Sequence, residues 1–224
     1  MLRYLFKRAA ANRRPLPAAS APSFMPLYAQ KFAPRLAHRA GGFGTMFELL
    51  ETRCRTLDRP ALIVETGSMR AIGNWEGDGQ STLLWKEFSA FHPCEIHSID
   101  LDPGAAEVVR EACGDAVHAH TGDSVAYLHK MAQMDSPPQI DLLYLDSFDF
   151  EPSNPFPSAM HHVKELMSVG ACLRKGSIVA IDDNFIRMDD CGGHPTGKGY
   201  LAREWFRDLD IPCVYPGYQL VWQL

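Results

Sequence analysis

Five acids stand where a sheet could present them together: Glu65, Asp100, Asp146, Asp182 and Asp183. They close four short apolar runs: ALIVET at 61–66, EIHSID at 95–100, IDLLYLD at 140–146 and SIVAIDD at 177–183. One such acid marks no more than the start of a loop. Four polar strand ends at one sheet edge make a ligand site. Asp100 has the position from which a carboxylate accepts both hydroxyls of a ribose in a nucleoside-binding sheet. Its other reading is an acid ahead of Pro103 at a helix start. After the first run comes ETGSMRAIGNWEGDGQST, where Gly67 lets the chain turn and Gly79, Gln80 and Ser81 lead into a helix. Backbone N–H groups at such a helix start can meet a polar or anionic ligand. Gly67 and Gly79 lie twelve residues apart, which is no GxGxxG fingerprint and speaks against a dinucleotide. A third run, AVHAHTG at 116–122, ends in Gly122-Asp123-Ser124; Asp123 either caps the next helix or contacts an adenine amino group.

The elements that must hold these groups alternate. Helical spacing fills the intervals at 80–91, 104–113, 124–133, 157–173 and 199–209, the last with Leu201, Trp205 and Leu209 on one stripe. Five β-α alternations predict a doubly wound parallel sheet whose ligands bind at the carboxyl ends of its strands. CVYPGYQLVWQL at the end reads as two short strands around Pro216-Gly217. Residues 24–44 carry Pro and Gly and read as a loose lead-in, with a helix starting near Thr45.

The chain has 224 residues, 46% hydrophobic and 22% charged, which suits one domain and no stretch of about 18 apolar residues for a membrane span. Its net charge of -5 conceals a split. Residues 1–47 hold eight Lys/Arg and no acid, leaving 14 basic and 27 acidic groups beyond them. The acidic body argues against a nucleic-acid partner. The basic segment reads as a flexible tail, a mitochondrial-type presequence or a surface helix for an anionic partner. Absent a secretory h-region, the expected location is cytoplasmic, or mitochondrial if the presequence reading holds. Six scattered cysteines without a CxxC read as free thiols.

ETG…GDGQST, SIDLDP, TGDSVAYL, DLLYLDSFD and LRKGSIVAIDDN, in that order, resemble the motifs of class I S-adenosylmethionine-dependent methyltransferases over residues 61–224. The nearest branch is the small-molecule O-methyltransferases of the macrocin and catechol type. The resemblance implies a Rossmann-like, mainly parallel seven-stranded sheet with an antiparallel C-terminal strand, in a single domain over 45–224 behind a flexible leader, 1–44. It implies S-adenosylmethionine as cofactor, O-methylation of a small hydroxylated acceptor, and possible homo-oligomers. Glu65, Thr66 and Gly67 would border the methionine part; Gly79, Gln80 and Ser81 would lie beneath it; Asp100 would hold the ribose; Gly122, Asp123 and Ser124 would flank the adenine. A divalent cation such as Mg2+ would sit on Asp146, Asp183 and Asn184, with Asp182 a further candidate, although strand alternation turns Asp182 to the opposite side. It would acidify and orient the acceptor hydroxyl. The branch places a lysine three residues after its fourth-strand aspartate; here that position is Asp149, so the base is sought among Asp149, His194, His161 and His162. Lys198, near His194, is a candidate partner for a carboxylate. A nicotinamide-dependent oxidoreductase and a non-catalytic nucleoside-binding scaffold are the alternatives.

Overall fold

The computed structural model describes residues 22–185 and 196–224. His194, Cys191 and the segment 1–21, with its presequence reading, lie outside the described residues. Strands β1 (Ala61–Thr66), β2 (Cys94–Asp100), β3 (His118–Thr121), β4 (Leu142–Leu145) and β5 (Ile178–Ile181) run parallel. β6 (Asn184–Phe185) and β7 (Thr196–Gly197) form a separate two-stranded ladder. β8 (Cys213–Pro216) and β9 (Leu220–Gln223) form a hairpin, and β9 joins β5 antiparallel, Ile181 opposite Leu220. The sheet order is β3-β2-β1-β4-β5-β9-β8. β1, β4 and β5 are buried along their whole length, as continuous apolar runs require when helices cover both faces.

Among the described residues, six α-helices of nine or more residues lie on the two faces: α2 (Ala40–Cys54), α3 (Ser81–Ser89), α4 (Pro103–Cys113), α5 (Ser124–Ala132), α6 (Phe156–Val169) and α7 (Tyr200–Asp208), after a single turn, α1 (Met25–Leu27). One core layer packs α2–α4 on the sheet through Phe43, Phe47, Leu84, Trp85 and Phe88; the other packs α5–α7 through Leu128, Leu166 and Phe206. Within α7 the buried stripe is Ala202 and Phe206; Leu209, expected on it, is exposed. From β1 the chain winds outward through β2 to β3, then returns to β4 and winds the other way. Loops therefore diverge above β1 and β4, leaving the crevice in which such sheets bind ligands. Among the described residues no helix is long and apolar enough to cross a membrane, and Cys54, Cys94, Cys113, Cys172 and Cys213 are free thiols.

The lead-in differs from expectation. α2 starts at Ala40 rather than Thr45, and residues 24–39 are helical turns packed on the core. Phe24, Tyr28, Phe32 and Leu36 recur every fourth residue and are buried, Phe24 lying 4.8 Å from Phe47 and 5.5 Å from Phe88 between ring centres. Buried Glu51 clamps this segment, accepting hydrogen bonds from the Ser23 hydroxyl at 2.9 Å and from the Phe24 amide. Gly41 and Gly42, which read as breakers, instead bring α2 against the terminal hairpin. A Cβ on either would overlap Tyr215 or Gln219.

Candidate functional site

The glycine segment is built from the inside. Glu65 ends β1 fully buried and accepts hydrogen bonds from Thr82 Oγ1 (2.5 Å), Ser98 Oγ (2.6 Å) and Trp85 Nε1 (3.0 Å). Burial raises its pKa, against the pull of these donors. Glu65 thus fastens α3 and β2 to β1 beneath the crevice instead of lining it. Gln80 works the same way within the 67–79 insertion: its side chain bonds Ala71 O, Asp78 Oδ1 and Gly73 N–H, each at 2.8 Å, and is fully buried. Ser81 and Thr66 are also buried, and Gly79 faces the Arg39 side chain. None of these five lines the crevice, because the insertion folds back on its own polar groups. Trp75 packs 5.9 Å from Phe32 and is buried, with the Arg35 guanidinium over its ring.

The crevice above β1 and β4 is lined by Gly67, Ile99, Asp100, Leu101, Gly122, Ser124, Ser147, Phe148 and His161. Gly67 has φ +81° and lies so close to the end of β4 that a Cβ would overlap the Asp146 carbonyl. Asp100 Oδ2 accepts Ser68 N–H and Oδ1 accepts Asp102 N–H, both at 2.8 Å. Each oxygen keeps a lone pair for a further donor. Leu101 is 71% exposed and Phe148 45%, unusual for apolar side chains beside a crevice. Asp123 sits at the mouth as the N-cap of α5, its Oδ1 accepting Ala126 N–H at 2.7 Å. His161, one of the candidate bases, lines the crevice. Its Nε2 is 3.2 Å from Ser124 Oγ and 3.4 Å from buried Glu165, which also accepts the Ser147 hydroxyl at 2.8 Å. His162 is fully buried, and burial lowers its pKa to about 4, so it stays neutral.

Beside this crevice the ends of β4 and β5 gather three carboxylates. Asp146, Asp182 and Asp183 offer oxygens that lie within 4.8 Å of one another. Asp183 has φ +53°, and this turn breaks the strand alternation that was to send Asp182 to the other side. Two buried cations meet the acids. Arg39 reaches Asp182 (Nε–Oδ2, 2.9 Å) and Asp183 (Nη2–Oδ1, 3.2 Å). Lys198, 1% exposed, contacts Asp146 and lies 2.8 Å from Asp183 Oδ2. Burial opposes the charge on Lys198, but Asp146 and Asp183 hold its pKa above the ordinary lysine range. Tyr144 donates to Asp182 (2.9 Å) and Tyr218 donates to Asp183.

Asn184, expected among the metal ligands, is fully used by backbone: Nδ2 donates to Ile181 O, Asp182 O and Tyr218 O, and Oδ1 accepts Gly199 N–H. Asp149, expected as a base, has its side chain 80% exposed and pairs with Arg70 at 3.5 Å across the surface. The donor chemistry of the three acids suits Mg2+, and Asp182 Oδ1 has no hydrogen-bond partner among the described residues. The seat between Asp146 and Asp183, however, holds the Lys198 ammonium. At 4 Å from it, each unit of added positive charge would cost about 4 kcal/mol at an effective dielectric of 20. A divalent ion seated between Asp146 and Asp183 would therefore have to displace the Lys198 ammonium. Arg39 and Lys198 are the site residues that sequence reasoning undervalued; Arg39 lies 143 residues from its partner Asp182 and had only its charge to show.

Comparison with known proteins places this geometry in a fold. No protein-family model and no curated protein matches the chain. Among solved structures, the MycE methyltransferase from the mycinamycin biosynthetic pathway, in complex with Mg and SAH, is 15% identical with a TM-score of 0.57. The match covers 92% of this chain and 55% of that one, so this chain spans about half the length of MycE. A second MycE complex, with Mg, SAH and mycinamycin VI, gives 15% identity, a TM-score of 0.56 and the same coverage. The O-methyltransferase from Bacillus cereus in complex with SAH is 14% identical with a TM-score of 0.52, covering 93% of this chain and 94% of that one. Strand order, the antiparallel β9 and these matches agree: the chain shares with these methyltransferases a Rossmann-like, doubly wound fold.

Proposed function

We propose that the chain is an S-adenosylmethionine-dependent methyltransferase that methylates a hydroxyl of a small molecule. The observation that carries this reading is Asp100 at the rim of the β1/β4 crevice, between two exposed apolar side chains and two residues without side chains. Asp100 would hold the ribose, Leu101 and Phe148 the adenine, and Gly67 and Gly122 leave room for the backbone to approach the nucleoside. Bound S-adenosylmethionine supplies a methyl group on a sulfonium, and transfer needs in-line placement of the acceptor oxygen more than covalent help.

The chain's own residues do that placing. Gly67 sets the end of β1 against the Asp146 carbonyl, so Asp146 adjoins the crevice. Lys198 engages Asp146 Oδ1, which leaves Oδ2 to accept a hydrogen bond from the acceptor hydroxyl. Lys198 takes the place that the resemblance gives to a divalent cation: it neutralises the acids and fixes Asp146. Exposed Phe148 and Phe156 give the loop between β4 and α6 an apolar surface for the acceptor. A small acceptor rather than a nucleic acid suits a body with an acidic surplus. His194, outside the described residues, is a candidate base.

The test is calorimetric titration with S-adenosylmethionine, S-adenosylhomocysteine and NAD, each with and without a chelator. Both sulfur nucleosides are expected to bind equally in both conditions, and NAD not at all. Failure of both sulfur nucleosides sinks the reading; binding of NAD alone favours the oxidoreductase.

A further inference from the structure

A second cluster lies on β2 and β3, at one edge of the sheet, before the strand ends that line the crevice. β2 carries Glu95 and His97, β3 carries His118 and His120, and Cα partners His97 and His118 stand side by side in the ladder. Because side chains alternate along a strand, the E-x-H and H-x-H spacings put all four on one face. β3 is an edge strand, so Glu95 and His118 are exposed, while His97 and His120 are half-buried under Tyr127 of α5. One ligand atom each from Glu95, His97 and His118 lies within 4.8 Å of the other two.

The groups behind them are arranged in turn. His97 Nε2 faces Glu95 Oε1 at 2.9 Å, whereas His97 Nδ1 is 3.0 Å from both His120 Nε2 and the Tyr127 hydroxyl. Tyr127 also reaches His120 Nε2 at 3.1 Å. When His97 donates from Nδ1 to His120 or Tyr127, its Nε2 lone pair points at a carboxylate. A cation between them turns that repulsion into two ligand bonds. Metal-ligating histidines are held in this manner, by a hydrogen bond from the ring nitrogen that does not bind the ion.

We propose that Glu95, His97 and His118 form a binding site for a borderline divalent transition metal, Zn2+ or Co2+ in class, with His120 and Tyr127 orienting His97. Two imidazoles and one carboxylate select such ions over Mg2+ or Ca2+, which prefer all-oxygen shells. The site ties the edge strand to β2, the strand that ends in Asp100. It is independent of the carboxylate cluster at the crevice and of the proposed methyl transfer.

The experiment titrates Co2+ into the full chain, following its visible absorption and equilibrium dialysis, with Zn2+ and Mg2+ as competitors. Wild type is expected to take up one Co2+ that Zn2+ displaces and millimolar Mg2+ does not. His118→Ala, at an exposed position, is expected to abolish uptake, and Tyr127→Phe to weaken it by roughly 10–100-fold, as loss of an orienting partner does. Thermal melts of both variants without metal check that they fold; a Co2+-induced rise in melting temperature that is present in wild type and absent in His118→Ala supports the site by a second readout. No uptake by folded wild type overturns the proposal. So does uptake that persists in His118→Ala, or that is lost instead in Asp146→Asn.

Discussion

Replacing Lys198 with Met keeps the length of the side chain and removes its charge, and so tests what the ammonium does. Lys198 is 1% exposed; its partners Asp146 and Asp183 expose 17% and 20% of their side chains. Removing one member of a buried ion pair costs about 3–5 kcal/mol, and the partial access of water to these two acids puts the expectation near the lower figure, about 3 kcal/mol. For a domain of this size each kcal/mol moves the melting temperature by roughly 2–4 °C, so K198M should melt roughly 6–12 °C below wild type. The same substitution opens a gap edged by three carboxylates. Mg2+ at about 100 times its dissociation constant would then return about 2.7 kcal/mol, restoring most of the loss. The assay is thermal unfolding of wild type and K198M with chelator and with millimolar Mg2+. Wild type should be indifferent to both, K198M should rise with Mg2+, and adding Asp146→Asn should remove that rise. A wild-type melt that climbs with Mg2+, or a K198M melt that matches wild type, would refute the argument that Lys198 is the resident cation.

Three other expectations follow from the same geometry. Asp100→Ala should weaken S-adenosylhomocysteine by about 10–150-fold in calorimetry, the effect of losing charged hydrogen bonds worth about 1.5–3 kcal/mol; unchanged affinity would remove the ribose from Asp100. His162 has a folded pKa near 4, below its unfolded value of about 6.5, so its contribution is fully present above pH 6.5 and is lost as pH falls towards 4. Unfolding free energies from urea melts should therefore drop by about 3 kcal/mol over that window, and His162→Gln should flatten the slope. Glu51→Ala strands the Ser23 and Phe24 donors at about 1–3 kcal/mol, and trypsin should then cut faster at Lys31 and Arg35; wild-type cleavage rates would show that Glu51 does not hold the segment.

The sheet was legible because its strands are short apolar runs that end in polar residues, and burial on both faces demands that pattern. The lead-in was not, because Gly41 and Gly42 look like helix breakers when they are contact points with the hairpin. The signal that could have corrected it was the four-residue recurrence of Phe24, Tyr28, Phe32 and Leu36. Asp100 was readable from its place at a strand end. Glu65 was read as bordering the cofactor and Gln80 as lying beneath it; both are buried, and position along the chain does not reveal that hydroxyl and indole donors fill the surroundings of the Glu65 carboxylate. Asn184 followed a motif pattern, but the backbone turn at Asp183 decided where its amide went. The Arg39 pair joins segments 143 residues apart, which no local spacing encodes, whereas Lys198, read as a partner for a carboxylate, does pair with Asp146 and Asp183.

The docking of α2 on the terminal hairpin also sets an order of events during synthesis. Gly42 rests against Gln219, and Arg39 is held by Asp182 and Asp183. These partners leave the ribosome roughly 140–180 residues after Arg39 and Gly42, which at 5–20 residues per second is about 7–35 s later. Through that interval the aromatic row from Phe24 to Phe47 has no hairpin to lean on, and its long-range contacts form late. A nascent chain with four or more unburied phenylalanines is a chaperone substrate in waiting, and slowing elongation before β8 should lengthen that exposure.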